Sequence, residues 1–227
     1  MSSFDKGVQR AVPSNFYMIS SSSDTQQSEE TYNTSNFELP NPAGKAGGAC
    51  TSAFLQQQYE GKKGMSWVET LNAMRSVLKG MGYNQTPTLS SSRMIQPTSP
   101  MTIVPPQSGR RRALLIGINY VGQKGELTAC HNDCNNIREY LINVHGFRED
   151  EMLVLMDDGV HQEPTKQNIE NGMILLTKYS QPGDVVFISF SGHGGRVEDR
   201  SGDEDDGFDE TYVVVFSYIF SQQIIFR

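Results

Sequence analysis

Ser191-Gly192-His193-Gly194-Gly195 is the segment of this chain best suited to chemistry. An imidazole changes charge near neutral pH and serves as a general base when a neighbouring group must lose a proton. Glycines on both sides of His193 remove side-chain bulk and let the backbone approach a bound group. Thiols are present at Cys50, Cys130 and Cys134, and no cysteine follows Cys134. Cys130, His131 and Cys134 have neither the C-x-x-C nor the paired spacing of a zinc site. On a helix Cys130 and Cys134 share a face and pack as small buried residues, while His131 points away. Gly117–Gly125 (GINYVGQKG) is a near miss to a phosphate loop. Gln123 intrudes before Lys124, and Gly125 stands where a hydroxyl would meet magnesium. A flexible substrate-facing loop suits the segment better than a nucleotide cradle. Glu198–Glu210 holds eight carboxylates against Arg200 alone. Such a run is either a solvated loop or a holder of a hard cation through oxygen ligands. It is not an EF-hand, because placing Gly207 at that loop's glycine puts Gly202 where the first ligand must stand.

These residues act only if a fold brings them together. Val185–Phe190 is a short run of β-branched and aromatic residues between Pro182-Gly183 and the glycines around His193, and predicts a buried strand ending at the histidine. Ala113–Asn119 is apolar without alternation, as a buried parallel strand is. Ala129–Val144 predicts a helix with Ile137, Tyr140, Leu141 and Val144 on one side and Gly146 as its stop. Met152–Met156 predicts a second strand, ended by Asp157-Asp158-Gly159. Pro164 opens another helix with Ile169, Met173, Leu176 and Tyr179 on its face. Strand, helix, strand, helix, strand implies an α/β fold: an open, mostly parallel sheet flanked by helices, with right-handed crossovers. Ligands in such sheets bind beyond the carboxyl ends of the strands. Asn119–Gly125, Asp157 and His193 converge there.

The earlier part of the chain has another character. Hydrophobic content of 37% and a mean hydropathy of -0.46 are low for a fully packed chain and point to a disordered portion. Residues 1–64 are rich in Ser, Gln, Thr, Asn and Gly without a period, and predict disorder. Ser66-Trp67-Val68-Glu69 has the form of a capping box. Trp67, Leu71, Met74, Leu78 and Met81 then fall on one helical face, with Gly80 and Gly82 as stops. That helix either packs in its own domain or serves docking or self-association. Pro87–Gly109 reads as a Pro/Ser/Thr linker. The expected organisation is a low-complexity region and linker over 1–109, with one amphipathic helix at about 66–80, and a domain over 110–227.

That domain carries 11 basic and 19 acidic residues, a charge of -8, against +1 for the earlier part, which together give the net -7. An acidic surface disfavours nucleic acid and anionic membrane, and suits a cation or a basic substrate. An odd number of cysteines argues against a disulfide framework. No apolar signal region and no membrane-length apolar stretch is visible, so a cytoplasmic protein without a membrane partner is expected. The sequence leaves the oligomeric state open.

RRALLIGINY (from Arg111), ACHNDC (from Ala129), FISFSGHGG (from Phe187) and GDEDDGFDET (from Gly202) stand in an order that resembles a metacaspase of type I, a caspase-related cysteine peptidase. The resemblance runs from Arg111 to about Thr211, half of the chain. It implies a caspase-like sheet and a calcium-assisted endopeptidase acting on proteins or peptides with Arg or Lys at P1. By the resemblance His193 is the base, and Gly194 lends an oxyanion N–H. Asp133 and Ser191 help form the pocket for the basic P1 side chain, N-capping being the competing role for Asp133. Asp209 matches a Ca2+ ligand, and a cysteine is common at the position of Cys130. A carboxylate in a partly closed pocket selects Arg or Lys because charge-assisted hydrogen bonds satisfy it only when a cation arrives.

The family continues from GDEDDGFDET through a strand to a D-x-C-H-S-G motif carrying the nucleophile. Here Thr211 is followed by YVVVFSYIFSQQIIFR. This tail is β-prone and uncharged from Tyr212 to Phe226, an aggregation hazard unless paired in a sheet. The expectation is a caspase-like domain incomplete at its C-terminus, truncated before the nucleophile and lacking the family's further calcium ligands. Removing the attacking thiolate costs several orders of magnitude in rate, so an inactive chain is expected. Cys130, at the active end of the sheet, is the candidate substitute. The rival readings are a non-catalytic regulatory or decoy protein derived from a metacaspase, and a cation- or nucleotide-binding module.

Overall fold

A computed structural model of the chain describes residues 14–22, 28–60, 64–198, 208–214 and 222–225. It divides into two compact units, Met1–Thr102 and Ile103–Arg227. In the first, β1 (Tyr17–Ser20) pairs antiparallel with β4 (Thr88–Ser91), and β2 (Glu30–Thr31) pairs with β3 (Gly47–Gly48). Two helices follow β3, α1 (Ala49–Glu60) and α2 (Trp67–Gly80). The capping box of α2 is formed: Glu69 N–H donates to Ser66 Oγ at 3.2 Å, and Ser66 N–H donates to the Glu69 carboxylate at 2.8 Å. Met74 and Leu78 pack with Phe37, Ala49 and Ala53 in one core, so the helix serves its own unit. Met81, expected on that face, is 39% exposed.

Composition alone predicts disorder up to Gly64 and a linker from Pro87. The structure instead places α1 inside the first stretch and β4 inside the second. The buried residues of α1 are Ala49, Ser52, Ala53 and Leu55; three of the four are small and add little to a hydropathy pattern.

The second unit is organised on β5 (Arg111–Gly117), with β6 (Met152–Met156) and β7 (Val185–Ser191) parallel to it on either side. From Arg112 to Gly117 every residue of β5 is buried, which explains its unbroken apolar run. Helix α3 (Cys130–His145) joins β5 to β6, and α4 (Lys166–Tyr179) leads from β6 to β7 on the other side of β5. Right-handed crossovers in opposite directions put the two helices on opposite faces. Their contacts agree. An added Cβ at Gly117 would lie 2.6 Å from the Cys130 carbonyl, and one at Gly172 would lie 3.0 Å from Leu114 Cδ1. Leu114 and Ile116 form the core with Leu155, Ile169 and Leu176 on the α4 side.

The helix faces differ slightly from the predicted ones. Val144 and Tyr179 are 48% and 55% exposed, while Ile137, Tyr140 and Leu141 are buried as expected, together with Cys130 and Cys134. Thr165 rather than Pro164 caps α4, its hydroxyl accepting from Asn168 N–H at 3.3 Å. Beyond His193 lie β8 (Gly194–Glu198), β9 (Phe208–Val214) and β10 (Gln222–Ile225), an antiparallel sheet in the order β10-β9-β8. Among the described residues of the apolar tail, 222–225 pair with 211–214, from Gln222↔Val214 to Ile225↔Thr211. Among the described residues no helix is long and apolar enough to cross a membrane.

Candidate active site

In the order β6-β5-β7 the connection leaving β5 runs to β6 on one side, and the connection leaving β6 returns across β5 to β7 on the other. That reversal makes the carboxyl ends of β5 and β7 the switch point at which sheets of this kind bind ligands. His193 sits there, between the last residue of β7 and the first of β8. Its backbone is held twice: His193 N–H donates to Tyr120 Oη at 2.8 Å, and Val213 N–H donates to the His193 carbonyl at 3.0 Å. Its imidazole Nε2 lies 2.7 Å from the Gly125 carbonyl oxygen. A carbonyl only accepts, so Nε2 carries the proton and the neutral ring keeps its lone pair on Nδ1. The site thus holds a base in a defined tautomer.

The glycines flanking His193 are not equivalent. An added Cβ at Gly192 would lie 2.8 Å from Phe190 Cζ and 3.0 Å from Tyr120 Oη, so this glycine makes room for the protein's own rings rather than for a ligand. At Gly194 the nearest atom is the Thr211 carbonyl, at 3.9 Å.

The loop between β5 and α3 reaches the histidine because Asp157, at the end of β6, holds it. Asn119 N–H and Val121 N–H donate to the two Asp157 carboxylate oxygens at 2.8 and 3.1 Å, and His131 Nε2 lies 2.6 Å from Oδ1. Tyr120, between the two donors, adopts φ 57°, a left-handed conformation that costs a non-glycine residue roughly 1–2 kcal/mol. The Asn119 side chain in turn accepts from Cys130 N–H at 2.9 Å, supplying the start of α3 with a cap that Ala129 lacks. Gly122 N–H donates to the Glu126 carboxylate at 3.0 Å, and Leu127 N–H to the Asn119 carbonyl at 2.7 Å. The amides that a phosphate would need are therefore spent on the protein's own acceptors, two of them carboxylates, and the loop is not a nucleotide cradle.

Asp133 and Ser191, both expected from the resemblance to line a P1 pocket, lie within hydrogen-bond distance of each other. Ser191 Oγ donates to Asp133 Oδ2 at 2.8 Å, and Asp133 is only 3% exposed. Ser191 lies opposite Gly117 in the sheet, so α3 can bring Asp133 down onto the strand ends. Asp133 does not cap α3: the helix begins with Ala129 as its N-cap, and Asp133 lies inside its first turn. Burial, then the Asp133 charge, push the Cys134 thiol up to about 12, which leaves it protonated and inert at neutral pH. Cys130 is also buried, at 4% exposure.

Asp209 belongs to β9, where it pairs with Val197, and its side chain lies outside the described residues. So do residues 199–207, most of the acidic run. Among the described residues no group of three or more His, Cys, Asp or Glu side chains could hold a metal ion. Tyr120 and Asp157 carry the arrangement around His193, but sequence reading placed them only as part of a convergence. A tyrosine inside a loop otherwise rich in glycine was the available signal.

An imidazole hydrogen-bonded through Nε2 and a serine–aspartate pair, set at the switch point of a parallel sheet, describe an α/β protein with a candidate site at its strand ends. The family model for the metacaspase peptidase C14 domain matches residues 111–225, and the chain belongs to the metacaspase family of caspase-related cysteine peptidases. Metacaspase III c of Phaeodactylum tricornutum is 44% identical over 219 residues, covering 93% of this chain and 65% of that protein. Metacaspase-1A of Neurospora crassa is 49% identical over 105 residues, 45% of this chain and 23% of that protein. Metacaspase-1 of Saccharomyces cerevisiae is 40% identical over 147 residues, 57% of this chain and 34% of that protein. The chain thus spans less than two thirds of these relatives. Among solved structures, a Geobacter sulfurreducens protein matches 52% of this chain and 42% of its own, with 30% identity and a TM-score of 0.39.

Proposed function

We propose that this chain carries the base and the P1 pocket of a cysteine endopeptidase that cleaves proteins or peptides after Arg or Lys. The observation supporting this reading is the Ser191–Asp133 hydrogen bond at the strand end that leads into His193. A guanidinium or ammonium group entering beside the Asp133 carboxylate would be held by charge-assisted hydrogen bonds, which is how a carboxylate selects a basic side chain. In the reaction, His193 Nδ1 takes the proton of a thiol and the thiolate attacks the scissile carbonyl. Backbone amides, with Gly194 N–H among them, hold the oxyanion. The imidazolium then protonates the leaving amine, and water releases the acyl group.

Cys130 is the thiol within these residues that suits the role best. It opens α3, where the helix dipole favours a thiolate, but its burial opposes ionisation. Burial wins in this reading, so the 227-residue polypeptide binds basic peptides and turns them over at background rate. Those same two facts, an inert Cys134 and a buried Cys130, favour the second reading of a non-catalytic regulatory or decoy protein that keeps the pocket. The reading extends to calcium held by oxygen ligands of the Glu198–Glu210 run, Asp209 among them, since hard cations prefer carboxylate oxygen. It places the protein in the cytoplasm, where its three free cysteines stay reduced.

The test uses a fluorogenic peptide with Arg at P1, with and without millimolar calcium, on wild type, His193→Ala, Cys130→Ala and Asp133→Asn. The expected result is hydrolysis no faster than in His193→Ala, peptide binding weakened about tenfold or more by Asp133→Asn, and tighter binding with calcium. Hydrolysis lost in both His193→Ala and Cys130→Ala makes Cys130 the nucleophile. Binding indifferent to Asp133→Asn removes the pocket and the reading with it.

A further inference from the structure

The β5–α3 loop touches His193 at two independent points, and Tyr120 supplies the one that fixes the backbone. Its hydroxyl accepts from His193 N–H at 2.8 Å and donates to the Val213 carbonyl at 2.7 Å. Its ring lies 4.7 Å from the imidazole, tilted by 34°. The hydroxyl therefore joins the turn after β7 to strand β9, and the ring limits how the imidazole can rotate. Tyr120 is 4% exposed, and Gly192 provides the space its hydroxyl occupies. The backbone of Tyr120 is held left-handed by Asp157, whose carboxylate takes the N–H on either side of it.

We propose that Tyr120 is a positioning residue for His193, set in place by Asp157: without the tyrosine hydroxyl the imidazole leaves the Gly125 carbonyl and loses its single tautomer. The inference rests on His193 being the base of the site. An unanchored His193 N–H becomes a solvent-exchanging amide, and an imidazole free of the Gly125 carbonyl distributes its proton over both nitrogens. Cys130 and Ser191 stay where they are, because Asn119 and Asp133 hold them separately. The effect is local to one of the chain's four histidines.

Nitrogen-15 NMR of the full chain reads both consequences directly and needs no turnover. His193 signals are assigned by their disappearance in His193→Gln. In the wild type the neutral His193 ring is expected in the Nε2–H form, with its backbone amide protected from exchange. Tyr120→Phe keeps the ring but not the hydroxyl. It is expected to speed exchange of that amide roughly fivefold to tenfold, the worth of one hydrogen bond. It also gives a mixture of tautomers at His193 while the His145 signals stay unchanged. Asp157→Asn is expected to move the same His193 signals in the same direction. Unchanged His193 exchange and tautomer in a folded Tyr120→Phe chain overturn the proposal. An unprotected His193 amide in the wild type does so as well, and that measurement decides the matter should the variant fail to fold. Peptide hydrolysis enters neither readout, so a failed peptidase reading and a failed positioning role are told apart.

Discussion

At Gly192 a single methyl group would meet Phe190 Cζ at 2.8 Å and Tyr120 Oη at 3.0 Å, whereas at Gly194 it would meet nothing closer than 3.9 Å. The two positions look alike in the sequence, and both were read as room for a bound group. Their difference comes from Tyr120, distant in the chain, whose placement no local pattern reveals. The place of His193 at a strand end was legible, because an apolar β-branched run stopping at glycines is a local pattern, and the histidine does follow β7 directly. The tautomer was not, since it depends on which carbonyl faces which nitrogen. Gly192→Ala is expected to destabilise the chain by about 1–3 kcal/mol, the usual cost of overpacking. Gly194→Ala should stay close to wild type in stability. Urea denaturation of the two variants measures this, and equal midpoints would show that the turn relaxes around an added methyl.

Strands β5, β6 and β7 and helices α3 and α4 were readable to within a residue or two, because apolar runs and helical periods are local. Strand β8 was not, as Gly194-Gly195 signals a turn when its antiparallel partner lies beyond a long acidic run. The last turn of α3 shows how packing outside the element sets its chemistry. His145 Nε2 lies 2.7 Å from Tyr140 Oη, and Arg111 Nη1 donates to the His145 carbonyl. A histidine at a helix C-terminus is ordinarily favoured as a cation. Here burial first, and then the Arg111 charge, lower its pKa. The folded form therefore resists protonation more than the unfolded chain does. Stability from this residue is complete above about pH 6.5 and is lost as pH falls below it toward the lowered folded value. Wild type should lose more stability between pH 7.5 and 5.5 than His145→Gln. The His131–Asp157 and His161–Asp158 pairs are present in both proteins, so their contributions cancel. Parallel pH profiles would remove His145 from the response.

At the scale of the molecule, the chain's single tryptophan belongs to one unit only. Trp67 opens α2 and stacks on Tyr17, ring centroids 4.6 Å apart. Its emission therefore reports the unit ending at Thr102, while the amide signals of β5 report the other. Two cores that share no buried residue, Phe37 to Leu78 in one and Leu114 to Leu176 in the other, should unfold with separate midpoints. Ser66→Ala removes the side-chain acceptor of the capping box and is expected to cost the first unit about 1 kcal/mol. Gly117→Ala drives a methyl against the Cys130 backbone carbonyl, which cannot yield as a side chain does, and should cost the second unit about 1–3 kcal/mol. In urea, the first variant should shift the Trp67 transition and leave the β5 amides unmoved, and the second should do the reverse. Were either substitution to shift both transitions equally, the two units would be one cooperative structure. The stability of the His193 site would then depend on a region that sequence composition had marked as disordered.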